Sequence, residues 1–258
     1  MPILKTENLT RSFGGLRAVA NLGVEIGKGG LAGLIGPNGA GKTTTFNLLT
    51  GIIKPDSGRI IFNGRNIAGL PPYSVTRLGI ARTFQNIRLF KDLSVLDNVK
   101  IACHHRVKYS LLESMVFRFG RFGAEERKIT EMSREFLGIF GLLKYSSDRA
   151  GSLPYGLQRR LEIARALATV PELLLLDEPA AGMHPGEKKD LMELIGFIRK
   201  KFGLTILLIE HDMNLVMGIC ESIFVLDYGV LIAEGPPEKI KADRKVIEAY
   251  LGEEASDA

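Results

Sequence analysis

Residues 36 to 43 read GPNGAGKT, set between the apolar run Leu31-Ala32-Gly33-Leu34-Ile35 and a helix-compatible stretch from Thr44 to Thr50. The spacing G-x-x-x-x-G-K-T in that setting allows few folds, because a buried strand must end in a tight glycine loop that opens directly into a helix. The glycines let consecutive backbone N–H groups turn inward, and the helix N-terminus adds the positive end of its dipole. Gly36, Pro37, Asn38, Gly39, Ala40 and Gly41 thus form a cradle for phosphate. Lys42 is in reach of β- and γ-phosphates, the Thr43 hydroxyl is placed for Mg2+, and Thr44 follows in the first helical turn. The ligand class this predicts is a nucleoside triphosphate.

A second element constrains the chemistry. In LLLLDEP, Leu173 to Pro179, an oily strand delivers Asp177 to the carboxyl edge of a sheet, where its carboxylate can bind Mg2+ directly or through water. Glu178 follows at once, in position to orient and deprotonate an attacking water. Two adjacent carboxylates ending such a strand are costly to keep charged unless a cation or solvent faces them.

The rest of the chain supplies an α/β frame. Ile3 to Leu9, Val24 to Ile26 and Arg59 to Phe62 read as short strands, the last turned by Asn63-Gly64, and together predict a small antiparallel sheet. From Val95 to about Ala168 the pattern becomes helical, as in Phe136, Ile139 and Phe140, which marks a helical lobe inserted after Gln85. Leu173 to Leu176 and Thr205 to Ile209 are continuous apolar runs, as in strands buried on both faces of a parallel sheet. Between them Leu191, Leu194, Ile195, Ile198 and Phe202 share one helix face, giving the strand, helix, strand order of an α/β core. Glu253 to Ala258 is expected to be a frayed polar end.

Composition excludes several classes. At 258 residues, 45% hydrophobic and 24% charged, the chain can bury a large core. Cys103 and Cys220 are far apart and form no C-x-x-C, so reduced thiols are expected, with no disulfide and no structural metal. Met1 to Thr10 carries Lys5 and Glu7 without an apolar core and does not read as a signal peptide. No apolar run nears the length of a bilayer span: Leu204 to Ile209 stops at Glu210 and His211. A chain soluble in itself is expected, with any membrane role passing through a partner. The net charge of +5 comes from spread basic residues, even where Lys100 to Lys128 includes Arg106, Lys108, Arg118, Arg121 and Arg127. No stripe of basic residues interleaved with aromatics recurs, so no nucleic-acid partner is expected.

The segment from Leu153 to Leu167, LPYGLQRRLEIARAL, precedes the Asp-Glu strand, and with the phosphate loop it closely resembles the signature segment of the ABC ATPases. The resemblance covers the whole chain. It implies an α/β fold: an ABC-type P-loop NTPase with a RecA-like core, a small antiparallel β-subdomain and an inserted helical subdomain. On this reading residues 1–258 are a single nucleotide-binding domain, with catalytic core and β-subdomain in about 1–94 and 169–258, and the helical signature lobe in about 95–168. By the same resemblance Gln85, in RTFQ, is the glutamine that contacts Mg2+ and links nucleotide to the helical lobe, so Thr43, Gln85 and Asp177 are the implied Mg2+ ligands. His211, in LLIEHD, is the switch histidine at the γ-phosphate. Phe13 is the aromatic that stacks on adenine, and Ala180 to His184 form the D-loop. Leu153, Pro154, Tyr155, Gly156 and Leu157 would bind, in trans, the ATP held by another subunit. Two chains, identical or related, would then clamp two ATP molecules head to tail, with Glu178, His211, Lys42 and Gln85 as the catalytic set.

The signature departs from the family's commonest form, L-S-G-G-Q: Pro154 replaces the serine, Tyr155 the first glycine and Leu157 the glutamine. Losing the serine hydroxyl removes one charge-assisted hydrogen bond, whereas Gly156 and the helix N-terminus remain for phosphate. The Tyr-Gly form, RTFQNIRLF, EPAAG, LIEHDM and the ending VIEAYLG are similar to the subgroup serving importers of branched-chain and other hydrophobic amino acids. That subgroup usually has asparagine where this chain has His184. The resemblance implies integral-membrane permeases and a second, related ATPase or a second copy as partners, a binding protein indirectly, and a peripheral place on the cytoplasmic face of the inner membrane.

Three other functions compete with this one. A lipopolysaccharide-export ATPase shares the fold but is less similar after Gln85 and at the C-terminus. A soluble ABC ATPase would need a coiled-coil insertion, zinc cysteines or a second cassette. A P-loop GTPase or kinase leaves the signature segment unexplained, and no Asn-Lys-x-Asp motif occurs. Between His104 and Gly123, Leu111, Leu112, Met115, Val116, Phe117, Phe119 and Phe122 with Arg118 and Arg121 have two readings: an amphipathic piece facing a membrane partner or lipid, or, the favoured one, an insertion packed on the helical lobe.

Overall fold

The computed structural model describes residues 2–104 and 121–256. The amphipathic reading of 104–123 therefore falls almost wholly outside the described residues. The chain divides into two compact units, Met1–Gln85 with Glu172–Ala258, and Asn86–Pro171.

In the first stretch β1 (Pro2–Phe13) is the hub of an antiparallel sheet, pairing with β2 (Leu16–Leu22), β3 (Glu25–Gly27) and β5 (Ser57–Phe62). β4 (Leu31–Ile35) leads into α1 (Lys42–Leu49), and β6 (Arg65–Asn66) completes the hairpin with β5. Asn63 and Gly64 both adopt left-handed backbone angles, the geometry a two-residue hairpin turn requires. β1 runs four residues beyond the expected Leu9, because Thr10, Arg11, Ser12 and Phe13 pair with β2 and β5 although Thr10 to Ser12 are polar and carry no strand pattern of their own. The helix α2 (Pro72–Arg77) then leads to a short strand, β7 (Ile80–Arg82), whose three residues are too few to show a period.

The unit Asn86–Pro171 holds α3 (Val95–His104), α4 (Arg121–Ile139) and α5 (Tyr155–Ala168), with single 3-10 turns at Leu143–Tyr145 and Ala150–Ser152. Ser94 starts α3: its hydroxyl accepts from the Asp97 N–H at 3.0 Å and donates to the Asp97 carboxylate at 2.6 Å. Val95, Val99, Ile129, Phe136, Leu137, Phe140 and Leu161 fill the space between the three helices. The helical spacing of Phe136 and Phe140 thus marks a real core face.

The last stretch returns to the first unit through β8 (Leu173–Asp177), α6 (Pro185–Phe202), β9 (Thr205–Ile209), α7 (Met213–Ile219), β10 (Ser222–Asp227) and β11 (Val230–Gly235). It ends in α8 (Pro237–Lys241) and α9 (Arg244–Ser256). The main sheet has the order β11-β10-β4-β9-β8-β7, parallel except for β11. Every residue of β4, β8 and β9 is buried, as their unbroken apolar runs predict. Two expectations need correction. On α6 the core face is Leu191, Met192, Ile195 and Ile198, whereas Phe202 is 36% exposed in the final turn, next to Gly203, whose left-handed cap ends the helix. The C-terminal end is helical through Ser256, as α9 carries the polar residues from Glu253 along.

Candidate nucleotide site

Parallel strands of one sheet end on the same edge, so β4, β9, β8 and β7, adjacent in that order, deliver their following loops side by side. β4 gives way to the phosphate loop, β8 to Glu178, β9 to Glu210 and His211, and β7 to Gln85. Glycine is required twice in the phosphate loop. A Cβ on Gly36 (φ 149°) would lie 2.0 Å from the Leu226 carbonyl oxygen, and one on Gly41 (φ 98°) would lie 2.3 Å from that of Ala18. Gly41 then caps α1, and the loop is held too close to its neighbours for any side chain at either position.

Lys42 is 6% exposed and its Nζ donates to the carbonyl oxygens of Gly36 at 2.6 Å and Pro37 at 2.8 Å. An ammonium folded over the mouth of its own loop stands where an anion would be welcome, and it can exchange those neutral acceptors for phosphate oxygens. Asn38, Gly39 and Thr43 are exposed and Thr44 is half-buried. Phe13, at the end of β1, is 44% exposed, with the Arg11 guanidinium 4.8 Å from its ring centroid.

The three loops beyond converge on one carboxylate. Glu178 accepts a hydrogen bond from Gln85 Nε2 at 2.9 Å through Oε2, and its Oε1 lies 2.6 Å from His211 Nε2. Its backbone is in the left-handed region (φ 47°), unusual for a glutamate, and the Glu178 N–H bonds to the Ile209 carbonyl at 2.9 Å. A non-glycine residue held in that region stores backbone strain, which its neighbours must offset. Gln85, Glu178 and His211 are therefore brought together. Asp177 sits deeper: its Oδ2 is 2.7 Å from Arg82 Nη2, with both side chains at most 5% exposed. Arg82 also donates to Asn47 Oδ1 at 2.7 Å and lies about equally between the rings of Phe46 and Phe84, at 5.3 and 5.1 Å. The candidate metal ligands Thr43, Gln85 and Asp177 offer a hydroxyl, an amide and a carboxylate. Gln85 donates through its amide nitrogen to Glu178, so its amide oxygen would be the ligating atom. Such an all-oxygen set fits Mg2+.

Glu210 and Arg82 have structural parts that sequence reading did not assign. Glu210, 4% exposed, accepts from the Ala180 N–H at 2.8 Å and from the His211 N–H at 3.2 Å, tying the segment after Glu178 to the end of β9. Burial pushes its carboxyl above the usual range, and the two N–H groups offset part of that shift. Nearby, Lys188 bonds to Asp212 at 3.0 Å and holds that carboxyl below its usual range. The available signals were a glutamate closing the apolar run TILLI and an arginine within RTFQ, but neither reveals a partner. His184 is the N-cap of α6, where its backbone N–H donates to Glu187 at 3.2 Å.

The signature residues belong to the other unit. Leu153 is buried, Pro154 is the N-cap of α5, and Tyr155, 46% exposed, Gly156 and Leu157 form its first turn. The Tyr155 and Gly156 N–H groups lead that helix, the position from which helices bind anions.

The ABC transporter family matches residues 19–181, and the family described as branched-chain amino acid ATP-binding cassette transporter matches residues 230–256. The high-affinity branched-chain amino acid transport ATP-binding protein LivG of Salmonella typhimurium is 47% identical, over 98% of each chain. BraF of Pseudomonas aeruginosa, of the same description, is 45% identical over 98% of each chain. A crystal structure of the ADP conformation of an ATP-binding cassette of an ABC transporter superimposes with a TM-score of 0.83 at 33% identity, covering 98% of this chain and 99% of that one. The chain belongs to the ABC transporter family of ATP-hydrolysing cassettes, in the company of LivG and BraF.

Proposed function

We propose that the chain is the ATPase subunit of a membrane importer for branched-chain or related amino acids. The observation that carries the chemistry is the Glu178 carboxylate held between Gln85 and His211 at the edge where the phosphate loop opens. The cargo class is supported by likeness to LivG and BraF over nearly the whole chain.

On this reading residues 1–258 form one cassette. The amides of Gly36 to Thr44 and the Lys42 ammonium bind the triphosphate, and Phe13 offers its exposed face to adenine. Thr43, Gln85 and Asp177 would hold Mg2+, which would supply positive charge to the triphosphate. Glu178 takes a proton from a water as that water's oxygen bonds to the γ-phosphorus and the bond to the β-phosphate oxygen breaks, leaving ADP and phosphate. His211, fixed through Nε2 to Glu178 and through its backbone to Glu210, steadies the γ-phosphate. Leu153 to Leu157 of a second chain, identical or related, close over the same phosphate with the leading N–H groups of their helix. ATP then favours the closed pair and ADP the open one, and that differential binding drives the permease subunits. The working place is the cytoplasmic face of the inner membrane, through those permeases, with the solute-binding protein an indirect partner. No described helix is long and apolar enough to cross a membrane.

The test is to tag the chain in its native cell, solubilise membranes gently and identify what co-purifies. Two polytopic permeases with a second, related ATPase are expected. Recovery of only soluble or nucleic-acid-binding chains would overturn the importer reading.

A further inference from the structure

Tyr155 is the departure that the phosphate chemistry leaves unexplained, since a bulky phenol stands where the commonest signature has glycine. In the structure its hydroxyl accepts a hydrogen bond from Arg159 Nη2 at 3.1 Å, one turn along α5, and the guanidinium lies 5.8 Å from its ring centroid. Arg159 is fully buried, and its Nη1 donates to Glu162 Oε2 at 2.9 Å, with Glu162 only 1% exposed. The second oxygen of that carboxylate, Oε1, accepts from the backbone N–H of Arg88 at 3.1 Å. Arg88 is three residues after Gln85. The same segment is tied again two residues on, where the Arg165 guanidinium lies 5.6 Å from the Phe90 ring.

We infer that Tyr155, Arg159 and Glu162 form a positioning relay that couples the backbone following Gln85 to the phosphate-facing first turn of the signature helix. Glu162 has one oxygen on each side, so the Arg88 backbone and the Arg159 guanidinium cannot move independently while both bonds hold. Arg159 in turn grips the side chain of the first helical residue. A buried pair of this kind adds little net stability compared with apolar packing, and its best-attested use is to fix register. Here the register fixed is that of Gly156 relative to the segment that Gln85 leads into. Tyr155 replaces glycine because the relay needs a handle at the helix start. Burial also pulls the Arg165 guanidinium below its usual range, although Phe90 itself is 49% exposed.

This inference rests on the proposed action of the signature in trans, and the experiment separates the two. Tyr155→Phe keeps the ring and removes only the accepting hydroxyl. In the full chain, the expected result is an unchanged Kd for ATP at the phosphate loop with a maximal ATPase rate lower by about tenfold, the equivalent of about 1.4 kcal/mol. Amide exchange at residues 86–90 should also rise, a remote change that a purely local role for Tyr155 would not produce. The double variant Arg159→Met with Glu162→Leu replaces the buried pair by apolar groups of similar volume, a change proteins tolerate. It should fold, bind ATP as before and show the same two defects. Glu178→Gln run in parallel reports on the underlying reading, since wild-type turnover there would overturn the hydrolytic assignment itself. If Glu178→Gln is inactive while Tyr155→Phe keeps the wild-type rate and the exchange of residues 86–90 is unaltered, the relay alone is wrong.

Discussion

Glu178 and Glu162 are both carboxylates held by two partners, yet they live under opposite conditions. Glu178, at the edge of the main sheet, is shared between an amide and an imidazole, and the His211 side chain is 47% exposed. Glu162, inside the helical unit, faces a fully buried guanidinium and a backbone N–H. The first set of partners can be exchanged for water or a metal ion, because the His211 side chain opens that side of the buried Glu178 to solvent. The second cannot, because either ion alone in that interior lacks solvent to replace its partner. Chemistry is thus placed where bonds can be traded, and position is enforced where they cannot.

The sharpest way to break this contrast is on the sealed side. Glu162→Ala leaves Arg159 charged and buried, and the expected loss is about 3–5 kcal/mol of stability, read by chemical denaturation of the full chain. A loss below about 1 kcal/mol would show that Arg159 reaches water or another acid. Next comes Glu210, which is buried like Glu162 yet serves the sheet edge. Glu210→Gln retains one acceptor for the two N–H groups of Ala180 and His211. Turnover is expected to fall by about tenfold with ATP binding unchanged, the loss of one hydrogen bond to a charged group. Because burial raises the Glu210 carboxyl, the folded chain takes up this proton more readily than the unfolded one. Its contribution to stability is full below the ordinary glutamate range and is lost as pH rises through the raised value, so Glu210→Gln should flatten that part of the pH–stability curve. The smallest effect belongs to the exposed pair. Lys188 and Asp212 keep 28% and 30% of their side chains in solvent, and Lys188→Ala should cost less than about 1 kcal/mol. A larger loss would place this pair with the sealed class.

The sheet edge was the legible region. The glycine spacing, the oily strand before Asp177 and the apolar run before Glu210 each name a strand end, and parallel strands bring their ends together. The short strand candidates Ile3 to Leu9, Val24 to Ile26 and Arg59 to Phe62 and the turn at Asn63-Gly64 likewise announced the antiparallel sheet. The helical unit was legible as a helix pattern but not as a mechanism. Tyr155, Arg159 and Glu162 lie at i, i+4 and i+7 of one helix, a spacing equally suited to a solvated stripe, and only the tertiary fold shows that the last two are sealed. Arg82 stayed hidden for a similar reason. Its partner Asp177 is 95 residues away, and no local pattern encodes a pairing of that range. Phe202 misled because helical periodicity continues to the last turn, whereas the packing it implies does not.

The most direct test of the whole account is single-turnover hydrolysis of Mg-ATP by Glu178→Gln beside the wild-type chain, with nucleotide affinity measured on the same samples. The account predicts an unchanged Kd and a rate lower by at least about a hundredfold, since the amide cannot take the proton from water. Hydrolysis at the wild-type rate would contradict it, and would mean that the carboxylate between Gln85 and His211 is not the base.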